Sequence, residues 1–439
     1  VPLAKSMPVD LPPPPPPAFH AWAPRPPLGW NSWDCFATTV TEAQTKDHAD
    51  YMAENLLPHG WEYIVVDIQW YEPHATGYDY RNDAALVTDA YGRLLPAINK
   101  FPSSTEGAGF RPLADYIHSK GLKFGIHLMR GIPRQAVAQN LPILGTSLHA
   151  TDIADTVNTC TWNKDMFGVD MAKPGAQEYY DSVFALIASW GVDYVKVDDL
   201  SRPYLRNRPE IEAIRRAIDR SGHPMVLSLS PGETDLAGAD HVIQHANLWR
   251  ISDDFWDQWP LLHSQFKRLH NWSTHATPGA WPDADMIPFG TIAMGRKTHF
   301  TPPEHRTLMS LWCIARSPLM FGGDLTKIDD FTLSFLTNDE VLAVNQRGSA
   351  PRQLFRTADD RIAWVSDIPG SPDKYLAVFH AADAPATATI PVDLAALGFS
   401  GPVRVRDLWA HRDLGKCSSA FSPEIAAHDA GLYRLSSAE

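Results

Sequence analysis

Tyr194-Val195-Lys196-Val197-Asp198-Asp199 is the stretch whose reading decides the fold. Its β-forming residues lead a lysine and then a carboxylate to the end of a strand. Residues 196 and 198 are two apart, so in an extended chain their side chains share a face. The segment Leu248-Trp249-Arg250-Ile251-Ser252-Asp253-Asp254 repeats the arrangement with an arginine. Each sets a cation beside a carboxylate where a buried strand gives way to a loop. In a β/α barrel, catalytic groups gather at that end of the strands.

Working outward, strands are predicted over 62–67, 123–127, 194–198, 225–230 and 247–251, with helices near 42–57, 111–119, 176–190, 209–221, 257–269 and 304–316. Strands that are apolar on both faces and each followed by a helix imply a parallel sheet covered all round. Adding Gly29–Trp33 and segments near Ala280 and Leu319 makes eight strands, which predicts a (β/α)8 TIM barrel over residues 28–346. Beyond Gln346 short alternating runs separated by Gly, Pro and Asp turns replace the helical periodicity. Residues 347–439 therefore read as a C-terminal antiparallel β-sandwich. Residues 1–27 form a Pro-rich N-terminal extension, and the run Pro12–Pro17 is expected to be an extended polyproline spacer.

The chain has 439 residues and a formal charge of −13, which argues against nucleic acid or an anionic membrane surface as its main partner. No apolar stretch has the length of a membrane span. The four cysteines, Cys35, Cys160, Cys313 and Cys417, lie far apart without metal-ligand spacing, and Cys313 in its apolar run is expected to be a buried thiol. The chain opens without Met and without a basic-then-apolar leader, and a periplasmic or secreted location is the expectation. Oligomeric state is left open.

Hydrolysis of a glycosidic bond needs one carboxylate as nucleophile or base and a second as general acid. Asp198 beside Lys196 is suited to stay ionised and act as nucleophile. Asp254, beside Asp253, Phe255 and Trp256, has a setting that raises a carboxyl pKa and suits the acid. A lone carboxylate at a strand end more often caps a helix or faces solvent; two such sites at alternate strands reverse that balance. No HExxH, P-loop or GxSxG motif is present, and no metal or organic cofactor is called for.

These segments extend to others: Pro27-Leu28-Gly29-Trp30-Asn31-Ser32-Trp33, Asp67-Ile68-Gln69-Trp70, Trp281-Pro282-Asp283-Ala284-Asp285-Met286, Ser317-Pro318-Leu319-Met320 and Asn338-Asp339-Glu340-Val341. In this order they resemble glycoside hydrolase family 27, the retaining α-galactosidases and α-N-acetylgalactosaminidases. The resemblance implies a double displacement with Asp198 as nucleophile and Asp254 as acid/base. It also implies sugar contacts from Trp33, Asp67 and Lys196, a 2-position held by Arg250, and a pocket closed by Asp285. The substrate it implies is a carbohydrate ending in a galactose-configured sugar.

The chain departs from the family pattern at four places. Ile68 stands where a second carboxylate usually binds the 4/6-hydroxyl side, which admits β-L-arabinopyranose, a sugar without a hydroxymethyl, unless Gln69 or Tyr71 restores the contact. Ser230 stands at the 2-position, where it leaves room for an acetamido group, unless the alignment slips and brings in Glu233. The strand Phe124-Gly125-Ile126-His127 continues as Leu128-Met129-Arg130-Gly131, where the family usually has a tyrosine and an acidic residue, and His127 is expected at the barrel mouth within reach of substrate. Leu200 occupies a position where the family has a disulfide cysteine, leaving Cys160 without a partner. The expectation is therefore a retaining exo-glycosidase that hydrolyses terminal α-D-galactosyl residues from oligo- or polysaccharides, with β-L-arabinopyranosidase and α-N-acetylgalactosaminidase as the alternatives.

Overall fold

The computed structural model describes residues 15–383 and 386–438. Eight strands form one parallel sheet: β1 (Leu28–Asn31), β2 (Tyr63–Val66), β3 (Lys123–Met129), β4 (Tyr194–Asp198), β5 (Val226–Leu229), β6 (Leu248–Arg250), β7 (Trp281–Asp283) and β8 (Leu319–Phe321). They pair in the order β7-β6-β5-β4-β3-β2-β1-β8. Ile287, just past β7, bridges Phe321 in parallel and closes the circle. Period-two alternation sorts the side chains. Tyr63, Val65, Tyr194, Val226, Leu248, Trp281 and Met320 form one buried cluster inside the barrel. Ile64, Val66, Val195 and Val197 belong to the larger core shared with the helices. Lys196 and Asp198 have the parity of Tyr194, so the inner face carries them up to the mouth.

The longer helices are α1 (Glu42–Asn55), α2 (Arg111–Ser119), α3 (Ala176–Ser189), α4 (Tyr204–Ser221), α5 (Trp259–Trp272), α6 (Pro302–Ala315) and α7 (Asp339–Arg347). A capping box between Thr41 and Gln44 starts α1, and another between Thr301 and Glu304 starts α6. Helix α4 begins ahead of Pro209 and carries that proline in its body, whereas sequence preference puts proline in a first turn. Between β3 and α3 the chain makes an excursion that sequence reading did not foresee. Ile132–Pro133, Ala154–Thr159 and Met166–Val169 pair as a three-stranded antiparallel sheet. Its strands are short, and Ala154–Thr159 is polar, so neither length nor alternation announces them.

The C-terminal region contains β9 (Ser349–Arg356), β10 (Arg361–Asp367), β11 (Lys374–His380), β12 (Val403–Asp407), β13 (Arg412–Cys417) and β14 (Asp429–Ser437). They form an antiparallel sheet in the order β9-β10-β11-β14-β12-β13. Two short pairs, Ala388–Thr389 with Glu424–Ile425 and Val392–Asp393 with Ala420–Phe421, make the opposing layer. Strand β13 is largely exposed and lacks apolar alternation, which hid it from the sequence pattern. Ala363, Val365, Leu376 and Val378 face the small layer. Their neighbours Ile362, Trp364, Ala377 and Phe379 belong to the core of the barrel. Arg306 of α6 pairs with both oxygens of Asp429 at 2.8 and 2.6 Å across the same junction.

Val1–Pro14, including part of the expected polyproline run, lie outside the described residues. From Ala18 onward the N-terminal extension is packed and is not a free spacer. A 3₁₀ turn at Ala18–Trp22 sets Phe19 and Trp22 under the Arg215 guanidinium, 4.5 and 4.9 Å from the ring centres. Asn247 donates to the Phe19 carbonyl, and Trp281 Nε1 donates to the Ala23 carbonyl at 2.8 Å. This segment lies against the N-terminal ends of β6 and β7. A Cβ on Gly279 would come within 2.2 Å of His20, so only glycine lets the two backbones approach.

Two predictions arise from this packing. A Cβ on Gly29, inside β1, would sit 2.6 Å from Tyr63 Cβ and 2.7 Å from its carbonyl oxygen. Gly29→Ala is therefore expected to cost about 1–3 kcal/mol by forcing β1 from β2; an unchanged denaturation midpoint would refute the close approach. Asp34, in the short helix Trp33–Phe36, is buried against Gly322, and its Oδ2 has no hydrogen-bond partner. Burial first, then the carboxylates of Asp285 and Asp254, raise its pKa well above the usual range. A raised folded pKa gives stability that is fully present below the unfolded carboxylate pKa and is lost as pH rises. Asp34→Asn should therefore gain on the wild type in thermal stability as pH rises from 4 towards neutrality, and a gap independent of pH would count against it.

Candidate active site

The C-terminal ends of the barrel strands surround a cavity of about 680 Å³. Of the residues singled out in the sequence, Trp33, Asp67, Lys196, Asp198 and Asp254 line it, together with Ile68. Asp67 is fixed from three sides. Its Oδ2 accepts from Lys196 Nζ and from Asn31 Nδ2, each at 2.8 Å, and its Oδ1 accepts from the Ile68 amide at 2.8 Å. Trp33 sits just past β1, anchored by its amide on Asn31 Oδ1. Its ring meets Tyr78 edge-on at 5.3 Å and stacks on Tyr80 at 6.2 Å.

Asp198 ends β4 on the cavity floor. Ser230 Oγ donates to its Oδ1, and His127 Nε2 lies 2.9 Å from its Oδ2, at an angle poor for a hydrogen bond. Burial pushes the Asp198 pKa up, but the charge of Lys196, followed by His127 and the Ser230 hydroxyl, outweighs it and holds the carboxyl well below the usual range. Lys196 is likewise penalised by burial and kept charged by Asp67 and Asp198.

Asp254 faces Asp198 from the loop after β6. Arg250 Nη2 reaches Asp254 Oδ1 at 3.2 Å and Asp285 Oδ2 at 2.8 Å. The Asp254 side chain is half open to the cavity, so solvent relieves part of its burial. Its pKa is nonetheless raised: burial and the Asp285 and Asp198 carboxylates outweigh Arg250 and Lys196. The two carboxyl groups are thus driven apart, one towards the ionised form and one towards the protonated form.

Four residues expected to touch sugar lie behind this surface instead. His127 is fully buried because β3 runs on to Met129, which leaves residue 127 inside the ladder and brings Arg130 to the mouth. Ser230 is buried on Asp198. Arg250 is buried behind Asp254, and Asp285 is taken up by Arg250 and by the Phe255 amide at 2.7 Å. Glu233 turns to the rim, where Arg268 approaches it at 3.4 Å, and does not line the cavity.

The Arg130 contribution escaped sequence reading. Its amide donates to the Asp198 carbonyl at 3.0 Å, and its guanidinium reaches Asp199 at 2.5 Å and Glu210 at 2.8 Å. Asp199 has φ of +65°, the left-handed turn that comes after the strand. Removing Arg130 would strand the buried Glu210 carboxylate and the part-buried Asp199, at a cost of about 3–5 kcal/mol. The exposed Arg202–Asp253 pair at the rim is worth only about 0–1 kcal/mol. Arg130 is therefore the brace for the turn after Asp198, at the place where the resemblance led one to look for a disulfide. All four cysteines are free, and three of them are buried. The signal was present as a charged residue one step past a strand end, but its two partners lie 69 and 80 residues away.

Among the described residues, no group of three or more His, Cys, Asp or Glu side chains is arranged to hold a metal ion, and no helix is long and apolar enough to cross a membrane.

Comparison with known proteins agrees with this geometry. The family model for alpha galactosidase A matches residues 25–173 and 164–347, and the model for the alpha galactosidase C-terminal beta sandwich domain matches 358–435. Alpha-galactosidase 3 of Arabidopsis thaliana is 30% identical over 93% of this chain and 81% of its own length. The alpha-galactosidase of Coffea arabica is 30% identical over 93% of both chains. Among solved structures, a family 27 β-L-arabinopyranosidase from Geobacillus stearothermophilus is 51% identical, with a TM-score of 0.93 over 96% of this chain and 98% of that one. A Bacillus halodurans protein described as an α-N-acetylgalactosaminidase is 45% identical, with a TM-score of 0.84 over 94% of this chain and 97% of that one. A barrel mouth with two carboxyl groups of opposed acidity, carried on this sequence, makes the chain a glycoside hydrolase that belongs to the alpha-galactosidase family, glycoside hydrolase family 27.

Proposed function

We propose that the enzyme is a retaining exo-glycosidase for terminal galactose-configured pyranosides, and that it favours β-L-arabinopyranosides over the ring-equivalent α-D-galactosides. In the first step Asp198 attacks the anomeric carbon as the glycosidic bond breaks, while protonated Asp254 gives its proton to the leaving oxygen. In the second, Asp254 takes a proton from water, the water oxygen bonds to the anomeric carbon, and Asp198 leaves with net retention. Lys196 and Asp67 bind ring hydroxyls, Trp33 walls the sugar, and Arg250 with Asp285 positions Asp254. Terminal galactose-configured sugar on an oligo- or polysaccharide is the partner this implies.

One observation carries the preference. Ile68 faces the cavity beside Asp67, and the neighbours that could replace a lost carboxylate are engaged elsewhere. Gln69 Nε2 and Tyr71 Oη both donate to Asp165 Oδ2, at 2.6 and 2.9 Å, and both are buried. An apolar side chain beside the C5 substituent suits a sugar with no hydroxymethyl and leaves a galactose 6-hydroxyl without its hydrogen bond. The 51% identity to a β-L-arabinopyranosidase, against 30% to the plant alpha-galactosidases, supports the same choice. Ser230 is buried on Asp198 and so is not free to make room for a 2-acetamido group.

Three measurements test this. With p-nitrophenyl glycosides, kcat/KM should be higher for the β-L-arabinopyranoside than for the α-D-galactoside, and Ile68→Asp should shift that ratio towards galactose at least about tenfold. A wild type that prefers the galactoside would overturn the preference. The pH profile of kcat/KM should fall on the acid side through the lowered Asp198 pKa and on the alkaline side through the raised Asp254 pKa, as a coupled pair. Asp198→Asn and Asp254→Asn should each abolish turnover of alkyl glycosides; normal activity in either variant would sink its assignment.

A further inference from the structure

His127 touches the nucleophile from beneath the cavity floor, where no sugar reaches. It stands in β3 in register with Lys196 of β4, and the ring is fully buried. Its Nε2 lies 2.9 Å from Asp198 Oδ2, and among the described residues neither ring nitrogen has a hydrogen-bond partner elsewhere. An unsatisfied buried imidazole destabilises a fold, so its presence calls for a functional reason. At 2.9 Å a bare nitrogen would set its lone pair against a carboxylate oxygen, so Nε2 is the nitrogen that carries hydrogen. We propose that His127 is a positioning residue for the nucleophile. Its Nε2–H holds Asp198 Oδ2 while Ser230 holds Oδ1, and it steadies the negative charge that returns to Asp198 when the sugar departs. The proposal rests on the double-displacement reading and adds to it a group that governs its second step.

The placement is built from both sides of β4. Trp70 Nε1 donates to the His127 carbonyl at 2.7 Å and fixes β3 at that point. Met129 is the residue of β3 level with Asp198, so the His127 ring meets the nucleophile from two residues lower on the strand. Ser230 Oγ, just past β5, donates to the other oxygen. The two strands that flank β4 thus each send one donor to the same carboxylate, while Lys196 supplies charge from its own strand. The angle at Nε2 is poor in this structure, and contacts of catalytic groups commonly tighten as the reacting complex forms. In the second step the bond from the anomeric carbon to Asp198 breaks and its electron pair returns to the carboxylate. Water oxygen takes its place on carbon, and the water proton goes to Asp254. A donor binds an anionic carboxylate more strongly than an ester, so Nε2–H favours that departure. In the first step Asp198 is losing charge, and the same donor gives no such help. Removing it should therefore spare the first step and slow the second.

The test separates the two steps with whichever 2,4-dinitrophenyl glycoside, β-L-arabinopyranoside or α-D-galactoside, the wild type turns over faster. His127→Leu should lower kcat about tenfold with KM falling in step, because the glycosyl-enzyme accumulates. Intact-mass spectrometry of enzyme quenched during turnover should show that adduct, and His127→Gln, which restores an N–H, should recover most of kcat. A fall in kcat/KM at unchanged KM, alike in both variants, would mean that the ring only fills space. Wild-type kinetics in His127→Leu would remove the role. A second measurement uses the wild type alone, labelled with 15N-histidine. The Nε2–H signal of His127 should shift when a 2-deoxy-2-fluoro glycoside caps Asp198, and an unmoved signal would overturn the contact. A wild type that turns over the aryl glycoside but forms no such adduct would defeat the double displacement and this role with it. An adduct that forms without the shift defeats the role alone.

Discussion

Crowding of like charge at one end of the barrel is the constraint on which the site depends. Asp34, Asp67, Asp198, Asp254, Asp283 and Asp285 converge there on two cations, the part-buried Lys196 and the buried Arg250. Burial and like charge in this cluster push Asp34, Asp254 and Asp283 one way while Lys196 pulls Asp198 the other. Lys196 keeps Asp67 at 2.8 Å and holds Asp198 in its charged form. On the other side Asp254 is pushed towards its protonated form, Asp34 much further, and Asp283 to about 6, with burial as the first cause. The opposed acidity of Asp198 and Asp254, on which their proposed roles rest, is thus a property of the whole cluster and not of either residue.

The barrel was legible because its strands are apolar on both faces and its helices are long enough to show a period. Where the chain breaks those rules, reading failed. The excursion between β3 and α3 is polar and short-stranded, and β13 has no apolar face. Within the site, residues that announce themselves locally were found: Lys196 with Asp198, Arg250 with Asp254, Asp67 at a strand end. Depth was harder to read. Two extra residues of β3 move His127 from the mouth to a buried place beneath Asp198. No local pattern encodes where a strand stops relative to its neighbours, so mouth and ladder positions were exchanged. Arg130 and Tyr80 went unseen because their meaning lies in partners remote in sequence.

The loops after β2 and β3 are coupled through Asp165, which gathers Gln69 and Tyr71 from one and Asn163 from the other. The same carboxylate that holds Gln69 and Tyr71 also seats the loop that carries Trp162. The two loops thus share one anchor, and a change at Asp165 would be felt in both.

The sheet of β9–β14 offers one row of side chains to its own small layer and the alternate row to the barrel. Trp364 and Phe379 belong to the core of the preceding module, while Val365 and Val378, one residue away, belong to another. The seam near Gln346 is therefore a boundary in sequence pattern but not in thermodynamics. Cutting there would bare two hydrophobic surfaces at once, so the two modules should melt as one cooperative unit. Inheritance obeys the same logic: neither half could be exchanged for a relative's without carrying over the row of side chains that fits the other.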